Sequence, residues 1–347
     1  MLFNIEADTG NELIGYLVPD SVEETPRLCL FGGGALLWSG EANETRDALV
    51  QAGRHRTGQC GFRIGTNEVE CLSALSDLEV RDIGSGLTIY RRRSACLAHK
   101  LFRIETRLRP SRTFDHAMER LFQAWYPRVE RYGAETVDQV LVLNGTSSVY
   151  ASGRVHLPAH PGLQDGSTTV VMELRDPHEE LAERIAVLSG TFGPVDRFIG
   201  AREQMAWRSV IASLDGVNVT NMRALRRAIR GLDPDAAATL SNPLTRQLTS
   251  ARPSELCAPN AISSALKALA GFEVVAPARI PAYFETAVGT LLNTPVPGLS
   301  KPSDDVMWIA DTLADIDTVD AILECDLTVY ASVSSVFEGL AAGMAQA

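Results

Sequence analysis

Thr168–Ser189, TTVVMELRDPHEELAERIAVLS, decides the fold. Thr169 to Leu174 form a β-branched, apolar run of the kind that a strand buried on both faces requires. Asp176 is placed to cap a helix, Pro177 suits its first position, and Glu179 completes a reciprocal capping pair. Leu181, Ile185 and Leu188 then recur at helical spacing and give that helix one apolar face. Arg175 is left at the carboxyl end of a strand expected to be parallel, beside a helix N-terminus. Open α/β sheets bind ligands at that place, and anions are held there most easily. An ordinary ion pair with a nearby carboxylate is the competing reading of Arg175.

Around this unit the chain alternates strand and helix. Lys100–Ile104, Gln139–Leu143, Ser148–Ala151 and Phe272–Val275 read as strands. Asp115–Val129, 201–230, Asn260–Ala270, Ile280–Leu292, Asp304–Leu313 and the segment from Val319 read as helices. The expected fold class is α/β, a parallel sheet flanked by helices. Asn144-Gly145 between two apolar runs is a hairpin signal that would make the sheet mixed. Before about residue 95 the pattern differs. Leu13–Leu17, Arg27–Phe31, Ala35–Trp38, Cys60–Ile64, Leu78–Val80 and Leu87–Tyr90 are short strands between turn residues, with one helix at Asn43–Gly53. That pattern suggests a small β-rich, sandwich-like domain over 1–94 preceding an α/β domain over 95–347. Gly32-Gly33-Gly34 lacks the lysine and helix of a phosphate loop and reads as a tight hairpin.

The 347 residues carry a net charge of -11, which excludes a general nucleic-acid binder. No apolar run is long enough to span a bilayer, and the start of the chain lacks the basic and apolar regions of a secretory signal. The expectation is a cytoplasmic protein that does not span a membrane. The six cysteines form no CxxC pair and suit reduced core thiols. His156 and His160 are four apart, but Pro158 breaks the helix that would aim both at one metal, so no structural metal is expected.

The second informative stretch is Lys100–Asp115, KLFRIETRLRPSRTFD. A strand runs into a loop with Arg107, Arg109 and Arg112 among Ser111 and Thr113, and a helix follows. Guanidinium and hydroxyl groups at a strand-to-helix turn are what a phosphate or sulfate needs. A solvated basic loop balancing Glu105 and Asp115 is the plainer reading. Arg154 ends the strand-like SSVYASGRV, and Gly153 before it allows close backbone approach. With parallel strands, Arg154, Arg175 and the Arg109–Arg112 loop would converge on one sheet edge. The candidates for a general base are His156 and Glu105, with His160, His178 and Glu135 as alternatives. No nucleophile-elbow motif is present. Arg223, Arg226, Arg227 and Arg230 form one stripe of a helix, either a contact for an acidic partner or simply its wet face.

Residues 97–347 resemble the sulfotransferase family, a P-loop-like α/β fold that uses the donor 3′-phosphoadenylyl sulfate. The resemblance rests on the strand-Arg-x-Pro-helix unit at Arg175-Asp176-Pro177 and on the strand–loop–helix around Arg109–Thr113. The order Phe272–Val275, helix, acidic helical tail with Leu323–Leu327 adds to it. The segment ending Gly61-Phe62-Arg63-Ile64 is similar to β-sandwich modules of bacterial glycan-modifying proteins. The resemblance implies a transferase acting on a glycan or glycolipid precursor. Arg109, Ser111, Arg112, Thr113, Arg154 and Arg175 would then hold the donor, and His156 or Glu105 would deprotonate the acceptor hydroxyl. The sequence departs from the family in two places. The loop has no glycine, and Glu183 stands where the family carries a serine, eight residues after its 3′-phosphate arginine. The alternative is a non-catalytic binding or assembly module for cell-surface polysaccharide production, and either leaves room for a homo-oligomer. A glycosyltransferase is a weaker third reading, since no DxD motif sits at a clear strand end.

Overall fold

The computed structural model describes residues 1–21, 23–143, 145–280 and 282–344. The chain divides into two compact units. The first takes residues 1–100, 118–126 and 132–151, and the second takes 101–117, 127–131 and 152–347.

The first unit is built largely from eight strands: β1 (Leu2–Asp8), β2 (Glu12–Val18), β3 (Arg27–Gly32), β4 (Ala35–Glu41), β5 (Glu44–Thr45), β6 (Gln59–Gly65), β7 (Leu78–Asp82) and β8 (Thr88–Arg92). They make two antiparallel four-stranded sheets, of order β1-β2-β6-β5 and β4-β3-β7-β8. Strict alternation in β7 and β8 sends Leu78, Val80 and Ile89 into the core. The helix expected at Asn43–Gly53 shrinks to α1 (Asp47–Gln51), because Glu44 and Thr45 pair with β6 instead. β1 was not anticipated. Phe3, Ile5 and Ala7 alternate there with the exposed Asn4 and Glu6, but only Phe3 is fully buried.

A five-stranded sheet of order β10-β11-β9-β12-β13 follows in the later sequence, from β9 (Lys100–Ile104), β10 (Ala124–Pro127), β11 (Val149–Gly153), β12 (Thr169–Leu174) and β13 (Val274–Pro277). β12 runs parallel to both β9 and β13, with Val171 opposite Arg103 on one side and Val274 on the other. The coarse class is therefore α/β. The helices are α2 (Arg112–Leu121), α3 (Ala134–Asp138), α4 (Pro177–Leu188), α5 (Ala201–Ala206), α6 (Arg208–Leu214), α7 (Met222–Arg230), α8 (Pro234–Leu240), α9 (Pro243–Thr249), α10 (Ala261–Leu269), α11 (Tyr283–Leu292), α12 (Asp304–Ala314) and α13 (Asp317–Met344).

Two expected elements change type. The helix expected to Val129 stops at Leu121, and Ala124–Pro127 is a strand, with Ala124 and Tyr126 buried in alternation and Pro127 unable to continue a helix. Gln139–Leu143, expected as a strand, continues α3 as a π turn, since a short apolar run does not by itself distinguish helix from strand. Of the Asn144-Gly145 hairpin signal, Asn144 lies outside the described residues. Helices α8 and α9 had no counterpart in the reading of periodicity, although Asp233-Pro234 and Asn242-Pro243 open them.

The opening unit forms as its residues dictate. Asp176 accepts the His178 backbone N–H at 2.8 Å and caps α4. Leu181, Ile185 and Leu188 are buried in a core with Val306, Ile309 and Leu313 of α12. Glu179 turns toward Arg175 (3.5 Å) rather than completing the capping pair, because the strand-end guanidinium offers a charged partner. Among the described residues no helix is long and apolar enough to cross a membrane.

Candidate functional site

Arg175 follows the last residue of β12 and is 3% exposed. Its Nη1 lies 3.4 Å from Glu183 Oε2, and Nη2 lies 3.5 Å from Glu179 Oε2. Both carboxylates stand one helical turn apart on α4, so the helix that follows the arginine also neutralises it. The other oxygen of Glu183 accepts the backbone N–H of Arg109 at 3.1 Å. Arg175 and the Arg109–Thr113 loop thus do come together, with Glu183 holding the position between them.

The neighbouring cations are closed in the same way. Glu105, just past β9, bridges Arg103 (2.8 Å) and Arg107 (3.1 Å). Burial alone would raise its carboxyl, but Arg107 and Arg103 overcome that and hold it well below the usual range. A carboxylate so stabilised is a poor proton acceptor near neutral pH. Arg103 also meets Asp115 at 3.0 Å, and Asp115 in turn accepts the Ser152 hydroxyl at 2.9 Å. Arg107 donates through Nη1 to the Ser300 carbonyl at 2.8 Å.

Arg154 follows β11 and lies against Glu203 (2.7 Å) and Glu130 (3.0 Å). Gly153 makes the second contact feasible. A Cβ there would stand 2.4 Å from a Glu130 carboxylate oxygen and 2.8 Å from the Val129 nitrogen. Arg154 also donates through Nη1 to the Arg107 carbonyl at 2.6 Å, which joins the two strand ends.

Deeper in, Thr106 donates its hydroxyl to Glu180, and Arg184 pairs with Glu180 at 3.5 Å while donating to the Thr106 carbonyl. Burial, opposed by Arg184 and the Thr106 hydroxyl, pushes the Glu180 carboxyl up to about 7. Sequence reasoning missed Glu180, Arg184 and Glu203. The four-residue spacing of Glu180 and Arg184 was the available signal for these two α4 members, and Glu203 had none.

The remaining predicted residues divide clearly. Ser111 is fully buried and its hydroxyl is engaged by Ser300, accepting the Ser300 N–H at 3.1 Å. Arg112 and Thr113 are exposed on the first turn of α2. Arg109 places its guanidinium 4.5 Å from the centre of the Phe192 ring. Among the described residues, neither Arg109 nor Arg112 meets a carboxylate. The His156 ring lies against the carbonyls of Ser250 (Nδ1 at 3.1 Å) and Arg246, and its burial pushes its pKa down. An imidazole fixed on backbone carbonyls is placed to brace α9 rather than to take a substrate proton. His178 sits between Asp176 and Asp320, each at 3.3 Å, and Glu135 pairs with Arg54 in the first unit. On α7, Leu225 and Ile229 are buried while Arg223, Arg227 and Arg230 point outward, as a wet helix face does. Among the described residues no group of three His, Cys, Asp or Glu side chains is arranged to hold a metal ion.

The arrangement is a buried lattice of alternating charge at the carboxyl ends of β9, β11 and β12. It can orient backbone and lock strand ends, but it presents little uncompensated positive charge. The chain matches no known protein family model, and no curated protein or solved structure is significantly similar to it.

Proposed function

We propose that this chain is a non-catalytic binding or assembly module for cell-surface polysaccharide production, built on a sulfotransferase-like α/β unit that does not take 3′-phosphoadenylyl sulfate. One observation carries the reading. Arg154 and Arg175, the buried cations of the expected donor site, both end on carboxylates of their own unit, as does the neighbouring Arg107. A donor phosphate would have to displace Glu183, which is covalently tethered beside Arg175, and would then share a desolvated space with Glu179. Titration calorimetry with 3′-phosphoadenosine 5′-phosphate tests the reading, and no heat of binding is expected up to about 1 mM. Saturable binding with a Kd of about 10 µM or tighter would overturn it.

A second reading, an active sulfotransferase-like enzyme modifying a glycan or glycolipid precursor, is favoured by Arg109 and Arg112. These two guanidiniums remain without carboxylates at the start of α2. Under it the nucleotide binds, and Arg109→Ala weakens it by about 1.5–3 kcal/mol, the usual contribution of a hydrogen bond to a charged group.

A further inference from the structure

In the connection between α9 and α10, residues 251–260, every residue is exposed except Cys257. Leu256 beside it is left 59% exposed. A leucine gains more from burial than a cysteine does, so hydrophobicity alone would have turned this loop the other way. What Cys257 meets inside is a second cysteine. Its S–H donates to the sulfur of Cys325 on α13, and both are half-buried free thiols. The other buried cysteines are occupied differently, since Cys29 and Cys60 donate to the carbonyls of Arg81 and Gly58.

The meeting of the two thiols is held from both sides. Asp326 accepts the backbone N–H groups of Leu244 (3.0 Å) and Thr245 (2.8 Å), and Asn242 accepts that of Cys325 (2.9 Å). These bonds fix α13 against the start of α9. One turn further along α9, Arg246 donates to the Glu255 carbonyl at 2.9 Å and to that of Pro253, which draws the connection back over α9. Burial, the second thiol and Asp326 together push the Cys257 thiol up to about 12. Burial raises Cys325 too, but the S–H of Cys257 opposes the rise, so Cys325 is the sulfur that reacts first.

We propose that Cys257 and Cys325 are an oxidisable pair, which hydrogen peroxide converts to a disulfide that staples the α9–α10 connection to α13. The Cys325 thiolate attacks one peroxide oxygen, the O–O bond breaks, and the second oxygen leaves as water after protonation. The Cys257 sulfur then attacks the sulfenic sulfur, the S–O bond breaks, and a second water departs. The two sulfurs together lose two electrons, and the peroxide takes them up. Thiols already in hydrogen-bond contact reach bonding distance by side-chain rotation and a shift of the exposed loop. The cross-link closes a long stretch of chain, from the connection to α13, and so restrains the unfolded state.

Peptide mapping of the full chain after treatment with hydrogen peroxide, with the remaining thiols alkylated, tests the pair. The expected product is an internal cross-link between the peptides of Cys257 and Cys325 that dithiothreitol removes. Oxidation should raise the melting temperature by about 5–10 °C, the effect of a disulfide closing a long loop. Cys257→Ser and Cys325→Ser should each abolish both the cross-link and the rise. Because the thiolate is the reacting form, cross-linking should quicken between about pH 7 and pH 9. If a serine variant fails to fold, the wild-type map and its melting shift decide. Recovery of both cysteines as alkylated thiols overturns the proposal, as does a cross-link from either to a different cysteine. A Cys257–Cys325 bond that leaves the melting temperature unchanged overturns the staple.

Discussion

Replacing Glu183 by serine, the residue that the sulfotransferase pattern has at this place, removes two interactions at once. Arg175 loses the closer of its two carboxylates (3.4 Å), and the Arg109 N–H loses its acceptor (3.1 Å). Breaking a buried ion pair by removing one partner costs about 3–5 kcal/mol when the remaining charge is uncompensated. Glu179 stays at 3.5 Å and retains part of the compensation, so the pair contributes about 2 kcal/mol of the loss. A serine is too short to restore the bond to Arg109, which adds about 1 kcal/mol. The expected destabilisation is about 3 kcal/mol, read in urea as a fall in Cm of roughly 1–1.5 M at unchanged m. The variant also exposes Arg175 to anions. Sulfate should therefore stabilise it beyond the general salt effect, by about 2.7 kcal/mol at a hundred times Kd. Wild type in matched sodium sulfate and sodium chloride is the reference. A Cm within about 0.2 M of wild type, or the same sulfate increment in both proteins, would refute the reasoning that Glu183 closes the site.

Glu105→Gln should cost about 3–5 kcal/mol at neutral pH by leaving Arg103 and Arg107 without their shared anion. Because the folded-state pKa of Glu105 is depressed, its contribution is present above the ordinary value of 4.5 and is lost as pH falls. Urea denaturation in acid should thus show a smaller pH slope in the variant than in wild type. Glu180 works in the opposite sense. Its carboxyl is pushed up to about 7, so its contribution is fully present below 4.5 and is lost as pH rises through 7. Wild type should lose at most about 3 kcal/mol from this group between those values, and Glu180→Gln should flatten that segment of the stability curve; an unchanged segment would count against the assignment. Gly153→Ala should destabilise by about 1–3 kcal/mol, since the new methyl meets backbone at Val129 that has little room to yield, and a melting temperature equal to wild type would contradict this.

The parts of the fold legible in the sequence are those where several local signals agree. Thr169–Leu174 and Pro177–Leu188 have a β-branched run, a cap, a helix-starting proline and a periodic face that all point the same way. Where only one signal exists, tertiary context decided. Gln139–Leu143 has apolar content without a usable period and became a helical turn, while the aromatic residues Trp125 and Tyr126 drew their segment out of α2 into a strand. The position of the site was legible too, because a charged residue directly after a buried strand has few places to go. What closes it was not. Arg154 is neutralised by Glu203, 49 residues later in the chain, and by Glu130, which depends on Gly153 for room.

One half of that closure was nevertheless written locally. Glu179 and Glu183 follow Arg175 at four-residue intervals, and in a helix beginning at Pro177 both stand on the face that looks back toward the strand end. A capping role for Glu179 and the replacement of a family serine by Glu183 both treat each carboxylate separately. Taken as a pair on one face they predict a neutralised arginine, because a strand-end guanidinium at 3% exposure needs a counter-ion from somewhere.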